Sequence, residues 1–114
     1  MRRAVKCDSG ECQLEPLGEG RFIVHGVLGF GTVHRVLEES KVLFSEHSVI
    51  EVDFSAVERS DSAGLALLIE WVNWAKAYVR EISYKNVPEE IRSIAEISEV
   101  EWMLTAGARW TGGT

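Results

Sequence analysis

Cysteine is scarce: two residues in 114, Cys7 and Cys12. A Cys-x4-Cys pair with no second Cys or His pair beside it is a poor zinc signature, so no metal is expected, and the plain reading is two thiols in a reducing compartment. Long apolar runs are missing as well. The longest, Ala63 to Ile69, has seven residues, where a bilayer span needs roughly 20. The start, Met1-Arg2-Arg3-Ala4-Val5-Lys6 followed by polar residues, lacks the apolar centre of a secretory signal, which places the expectation in the cytosol. Positive charge is short, with 12 Lys and Arg against 18 acidic residues and a net charge of -6. The cations are scattered apart from Arg2 and Arg3, so the field disfavours nucleic acid and direct adsorption to anionic lipid. Phosphate loops are lacking too. Gly29-x-Gly31 is too short for a dinucleotide fingerprint and no Gly-Lys-Ser/Thr follows a glycine-rich turn, so no cofactor is expected.

What is present suits one globular domain: 46% hydrophobic and 26% charged residues over a length that buries a core without staples. Residues 1–11 read as an N-terminal arm, 12–104 as the domain, and 105–114 as a glycine-rich tail around Trp110.

Residues 12–17 and 21–28 read as strands joined by Gly18-Glu19-Gly20, a hairpin signal because glycine accepts positive φ without steric cost. The second is the more apolar and is expected deeper in the sheet. From Thr32, Val33, Val36, Leu37 and Phe44 recur at helical spacing, with Arg35, Glu38, Glu39 and Lys41 opposite. Val49 to Phe54 reads as a strand with Ile50, Val52 and Phe54 on one face, followed by a loop. A helix is expected from Ser62 to about Val79 and a strand over Ile82 to Val87. Pro88 then suits the first turn of a last helix carrying Ile91, Ile94 and Ala95, with Glu89 and Glu90 at its positive end. The order ββαβαβα predicts an α/β fold: a mixed four-stranded sheet, an antiparallel hairpin followed by parallel strands, flanked by about three helices.

The helix from Ser62 repays a wheel calculation at 100° per residue. Glu70, Asn73, Lys76 and Arg80 fall in one arc of about 120°, shared by Ser62, Ala66, Ile69 and Ala77. The rest is apolar, with Leu67 and Trp74 at the border, to be covered by neighbouring helices or by a partner. Asp61 or Ser60 can cap the helix, and Gly64 permits close approach in its first turn. Read from the residues alone, Asp61 and Ser62 are capping residues.

The run Asp53-Phe54-Ser55-x-Val57, a short loop, then Asp61-Ser62-x-Gly64-Leu65 opening a helix resembles the STAS domain family, which includes anti-sigma-factor antagonists. The resemblance implies that Ser62, the hydroxyl residue after the loop aspartate, is the phosphorylation or contact site. Gly64-Leu65-Ala66-Leu67-Leu68, Trp74-Ala75-Lys76, Asn86-Val87-Pro88, Ile94-Ala95-Glu96-Ile97-Ser98 and Leu104 are similar to the branch of small STAS subunits in Mla-type ABC phospholipid transporters, which maintain outer-membrane lipid asymmetry. That branch implies a non-catalytic protein, peripheral to the inner membrane through the cytosolic ATPase subunit it binds. Ser62, Asp61, Ala66, Ile69, Glu70, Asn73, Lys76 and Arg80 are then the expected partner-binding residues. The chain departs from the family in Ser60, commonly apolar, in Ala63, where antagonists often carry a second hydroxyl, and in a longer N-terminal arm. The Ala63 departure weakens the alternative of an anti-sigma-factor antagonist switched by phosphorylation of Ser62 more than it weakens the transporter reading.

A small enzyme of unknown reaction is the remaining alternative. It would need a base beside the nucleophile. His25 falls mid-strand, His34 on the exposed side of the first helix and His47 in a loop, so none is placed beside Ser62 by sequence and no catalytic residue is expected.

Overall fold

A computed structural model describes residues 12–105. The expectations for the arm, including Cys7, and for residues 106–114, including Trp110, lie outside the described residues. The elements are β1 (Cys12–Gly18), β2 (Arg21–Leu28), α1 (Val33–Phe44), β3 (Val49–Ser60), α2 (Ser62–Ala77), β4 (Glu81–Lys85), α3 (Glu89–Ile97) and α4 (Trp102–Thr105). One sheet runs β1-β2-β3-β4, antiparallel in its first pair and parallel in the other two. This is the expected mixed sheet. Its second strand is interior, as its apolar content predicted.

The hairpin turns through Gly18, Glu19 and Gly20, all at positive φ. Gly20 is required twice over, because a Cβ there would also stand 2.2 Å from the Val49 carbonyl oxygen.

Alternate residues of the strands, Leu14, Phe22, Val24, Leu28, Ile50, Val52, Phe54 and Ile82, are buried. α1 and α2 pack on this face, where the Phe44 ring lies 4.9 Å from Phe22 and 5.2 Å from Trp71, and Trp71 reaches Phe54 at 6.4 Å. Trp71 sits wholly inside, and its indole N–H donates to Ser40 Oγ at 2.8 Å, which in turn donates to the Leu37 carbonyl at 2.7 Å. A buried indole is tolerated because its one donor is satisfied.

Several elements differ from the sequence expectation, and β4 ends at Lys85, two residues before the expected Val87. β3 runs on to Ser60, six residues past Phe54. Ser55, Glu58, Arg59 and Ser60 have no strand pattern of their own, but β2 continues alongside and supplies the ladder. Between the pairs Ile23↔Asp53 and His25↔Ala56, three steps of β3 face two of β2, and another extra β3 residue enters between Gly26↔Val57 and Val27↔Arg59. Gly26, opposite Val57 between these two irregularities, has φ +97°. Pro88 stands just before α3 with ψ 146° and not in its first turn, yet its carbonyl accepts from Arg92 N at 3.0 Å. The short α4 had no periodic signal; Leu104 buries one side chain from it.

α2 stops at Ala77, short of Val79. Arg80 N donates to the Ala75 carbonyl at 2.7 Å and Val79 N to the Lys76 carbonyl at 3.4 Å, the paired bonds of a Schellman motif. Val79 occupies its left-handed position at φ +55°, a conformation that a β-branched residue adopts only under strain.

Candidate functional site

The site is built where two strand-to-helix loops meet. β3 delivers Asp61 in extended conformation, φ -141° and ψ -166°. Its Oδ1 accepts from Ala63 N at 2.8 Å, its carbonyl accepts from Gly64 N at 2.9 Å, and its own N–H donates to the Leu28 carbonyl at 3.3 Å. Asp61, not Ser60, is therefore the cap. The Ser60 hydroxyl is buried with no hydrogen-bond partner.

With the cap made by its neighbour, Ser62 is released from capping and stands exposed as the first residue of α2. It stands at the positive end of a 16-residue helix, where the Ala63 and Gly64 N–H groups are already taken by Asp61. Gly64 brings this turn close to the neighbouring backbone: a Cβ there would meet Ile91 Cδ1 at 3.0 Å and the Leu28 carbonyl oxygen at 3.2 Å.

Along α2, Ala66, Glu70, Asn73 and Lys76 are exposed and Ile69 is half-buried, so they continue the stripe that Ser62 begins. Leu67 is buried and Trp74 half-buried against Phe44 at 5.8 Å. Glu70 and Asn73 border a cleft of about 270 Å³ between α1 and α2, floored by Phe44, Trp71 and Trp74.

Arg80 departs from its expected place. The helix ends before it, and the Schellman turn sends its guanidinium to the carbonyls of Phe44, Ser45 and His47, where it caps α1 and lies 5.3 Å over the Trp74 ring. Its position on the α2 arc assumed three further residues of helix, which the strained turn at Val79 removes.

The family motif's first aspartate has a structural task. Asp53 Oδ1 accepts from Ser55 N at 2.9 Å and from the Asn86 amide at 3.0 Å, tying β3 to the β4–α3 connection. Burial alone would raise its carboxyl, but the Asn86 amide, the Ser55 N–H and hydroxyl and the Lys85 charge outweigh it and hold the pKa below its ordinary value. Tyr84 donates to the Leu68 carbonyl at 2.6 Å, and burial pushes its phenol well up.

The histidines lie elsewhere. His25 Nε2 is 2.7 Å from Glu15 Oε1, His47 lies edge-on to Phe22 at 5.8 Å, and His34 is exposed on α1. Among the described residues, none is bonded to Ser62, and no group of three or more His, Cys, Asp and Glu could hold a metal ion. No helix among them is long and apolar enough to cross a membrane.

Sequence reasoning missed Phe30. It sits in the β2–α1 loop directly after Gly29, which touches Asp61, and is 76% exposed. Its only signal was position between two glycines.

A four-stranded mixed sheet with a serine presented at the start of the crossover helix defines a STAS-type domain. The chain belongs to the STAS_2 family, described as Mlab, STAS domain, whose model matches residues 17–105. Among solved structures, it resembles the anti-sigma factor antagonist SpoIIAA in its unphosphorylated form, at 19% identity and TM-score 0.58, over 75% of this chain and 82% of that one. The Bacillus cell fate determinant SpoIIAA in its phosphorylated form matches at 18% identity and TM-score 0.62, over 82% and 88%. These likenesses establish the fold. A structure of Mglu matches at 26% identity and TM-score 0.52, over 68% of this chain and 19% of that one. No curated protein matches the chain.

Proposed function

We propose that this STAS domain is a non-catalytic subunit that binds the ATPase of an ABC-type phospholipid transporter, regulating or stabilising it, and so serves outer-membrane lipid asymmetry from the cytosolic side of the inner membrane. The observation that carries the reading is the division of labour at α2: Asp61 makes the cap, and Ser62 is left exposed for a partner. The family match, with its Mlab description, supports the kind of partner. Ser62, Ala66, Ile69, Glu70, Asn73 and Lys76 form the contact stripe, Asp61 orders its start, and Arg80 supports its far end from beneath. Size-exclusion chromatography of the chain with the ATPase of its cognate transporter tests the proposal. A complex is expected, and separate elution of two folded proteins at micromolar concentration counts against it.

A second reading, an anti-sigma-factor antagonist switched by phosphorylation of Ser62, is favoured by the fold likeness to SpoIIAA in both its forms. Helix N-termini accept a phosphate locally, while its added charge of about -1.5 to -2 repels or over-hydrates an apposed surface. Incubation with an anti-sigma kinase and ATP, followed by intact-mass measurement, separates the two: phosphate on Ser62 favours the switch, and its absence together with ATPase binding favours the transporter subunit.

A further inference from the structure

We infer that Phe30 is a second anchor of the surface that Ser62 begins, entering an apolar socket on the same ATPase; the inference rests on the transporter reading above. The chain has four phenylalanines. Phe22, Phe44 and Phe54 are no more than 2% exposed, whereas Phe30 is 76% exposed.

The loop that carries it does not need the ring. Thr32 Oγ1 donates to the Val27 carbonyl at 2.7 Å and accepts from Gly29 N at 3.1 Å, while Thr32 N and Val33 N donate to the Gly29 carbonyl at 2.9 and 3.0 Å. These bonds close the turn with backbone groups and one buried hydroxyl, so the main chain that bears the phenyl is fixed without it. An aromatic side chain has only two χ angles to freeze on docking, which is one reason such residues serve as anchors.

The same loop is locked to the Ser62 site. The Leu28 carbonyl accepts from Asp61 N, and Gly29 lies so close to the Asp61 carboxylate that a Cβ would stand 2.8 Å from Oδ2. Phe30 follows Gly29 and Ser62 follows Asp61, so the two exposed residues flank this contact, with Cα atoms no more than about 16 Å apart by chain geometry. A standard interface covers about 800 Å² a side, a patch roughly 30 Å across, so one partner reaches both. Gly31, next in chain to Phe30, and Ala66, one turn along α2 from Ser62, are exposed and uncharged. The matching partner chemistry is an apolar socket next to whatever receives the serine hydroxyl.

The test titrates wild type, Phe30→Ala, Phe30→Leu and Ser62→Glu against the ATPase of the cognate Mla-type transporter, with thermal melts of each. Phe30→Ala is expected to weaken binding at least tenfold and to melt within about 2 °C of wild type, and Phe30→Leu to retain most of the affinity. Full affinity in Phe30→Ala beside lost binding in Ser62→Glu overturns the inference and leaves the functional reading standing. A wild-type chain that binds no ATPase overturns both. Early melting of both Phe30 variants makes the ring a packing residue and also overturns the inference.

Discussion

The Asp61 carboxylate occupies the space where a side chain on Gly29 would begin, with Oδ2 2.8 Å from the position of a Cβ and Oδ1 bonded to Ala63 N. The cap of α2 and the β2–α1 loop are therefore one unit. Gly29→Ala is expected to push the carboxylate off its cap and lower stability by about 1 kcal/mol, the usual worth of such a cap, and Asp61→Ala by about the same. The double variant should cost little more than either single one, because both remove one interaction. Urea titrations of the three proteins check this, and full additivity would sink it.

Ser62→Ala is expected to fold normally, with stability within about 0.5 kcal/mol of wild type, since the residue is exposed and Asp61 holds the cap. It should bind or activate the partner less well, and Ser62→Glu should lose binding while keeping the fold. Melts paired with ATPase assays of the reconstituted complex decide the matter: an early-melting Ser62→Glu makes the serine structural.

Val79→Gly is expected to stabilise the domain by about 1 kcal/mol. Glycine takes the left-handed C-terminal position without the steric cost that the β-branched side chain meets at φ +55°, and Val79 is 59% exposed, so little packing is lost. A lower denaturation midpoint in Val79→Gly would mean that its partial burial outweighs the strain.

Lys76 and Arg80 are expected to separate in their effects. Arg80→Ala removes the cap on the α1 carbonyls and should lower stability by about 1 kcal/mol. Lys76→Glu reverses an exposed charge on the contact stripe and should weaken partner binding more than stability. Isothermal titration beside thermal melts reads both, and equal losses in both assays for both variants would refute the division.

Asp53 should make the domain acid-sensitive. Its folded pKa lies below the ordinary 3.8, so its contribution is fully present above the unfolded pKa and is lost as pH falls through the folded one. Asp53→Asn is expected to be less stable than wild type at neutral pH, with the gap closing below about pH 4. Denaturation midpoints from pH 7 to 2 follow this, and a gap that widens toward low pH would contradict it.

Sequence by itself determined the element order up to α3 and the α2 stripe as far as Lys76, because these are written in local periodicity: alternation in Val49–Phe54, heptad-like spacing in α1, and a polar arc starting at Ser62; the strand pairing followed from the connections, a glycine hairpin and then crossover helices. It also narrowed the cap to two residues, since Ser and Asp alike accept from helix N–H groups and only the backbone decides which one is in place. Tertiary structure chose Asp61, because the Leu28 carbonyl and Gly29 fix that residue against β2. It extended β3 through residues with no strand preference, because β2 offered a ladder that local propensity could not anticipate. It moved Arg80 from the α2 face to the end of α1, because a helix stops where its C-terminal carbonyls find partners, and those partners lay past a strained valine. Phe30 became visible only when two loops distant in sequence were brought together at one end of the sheet.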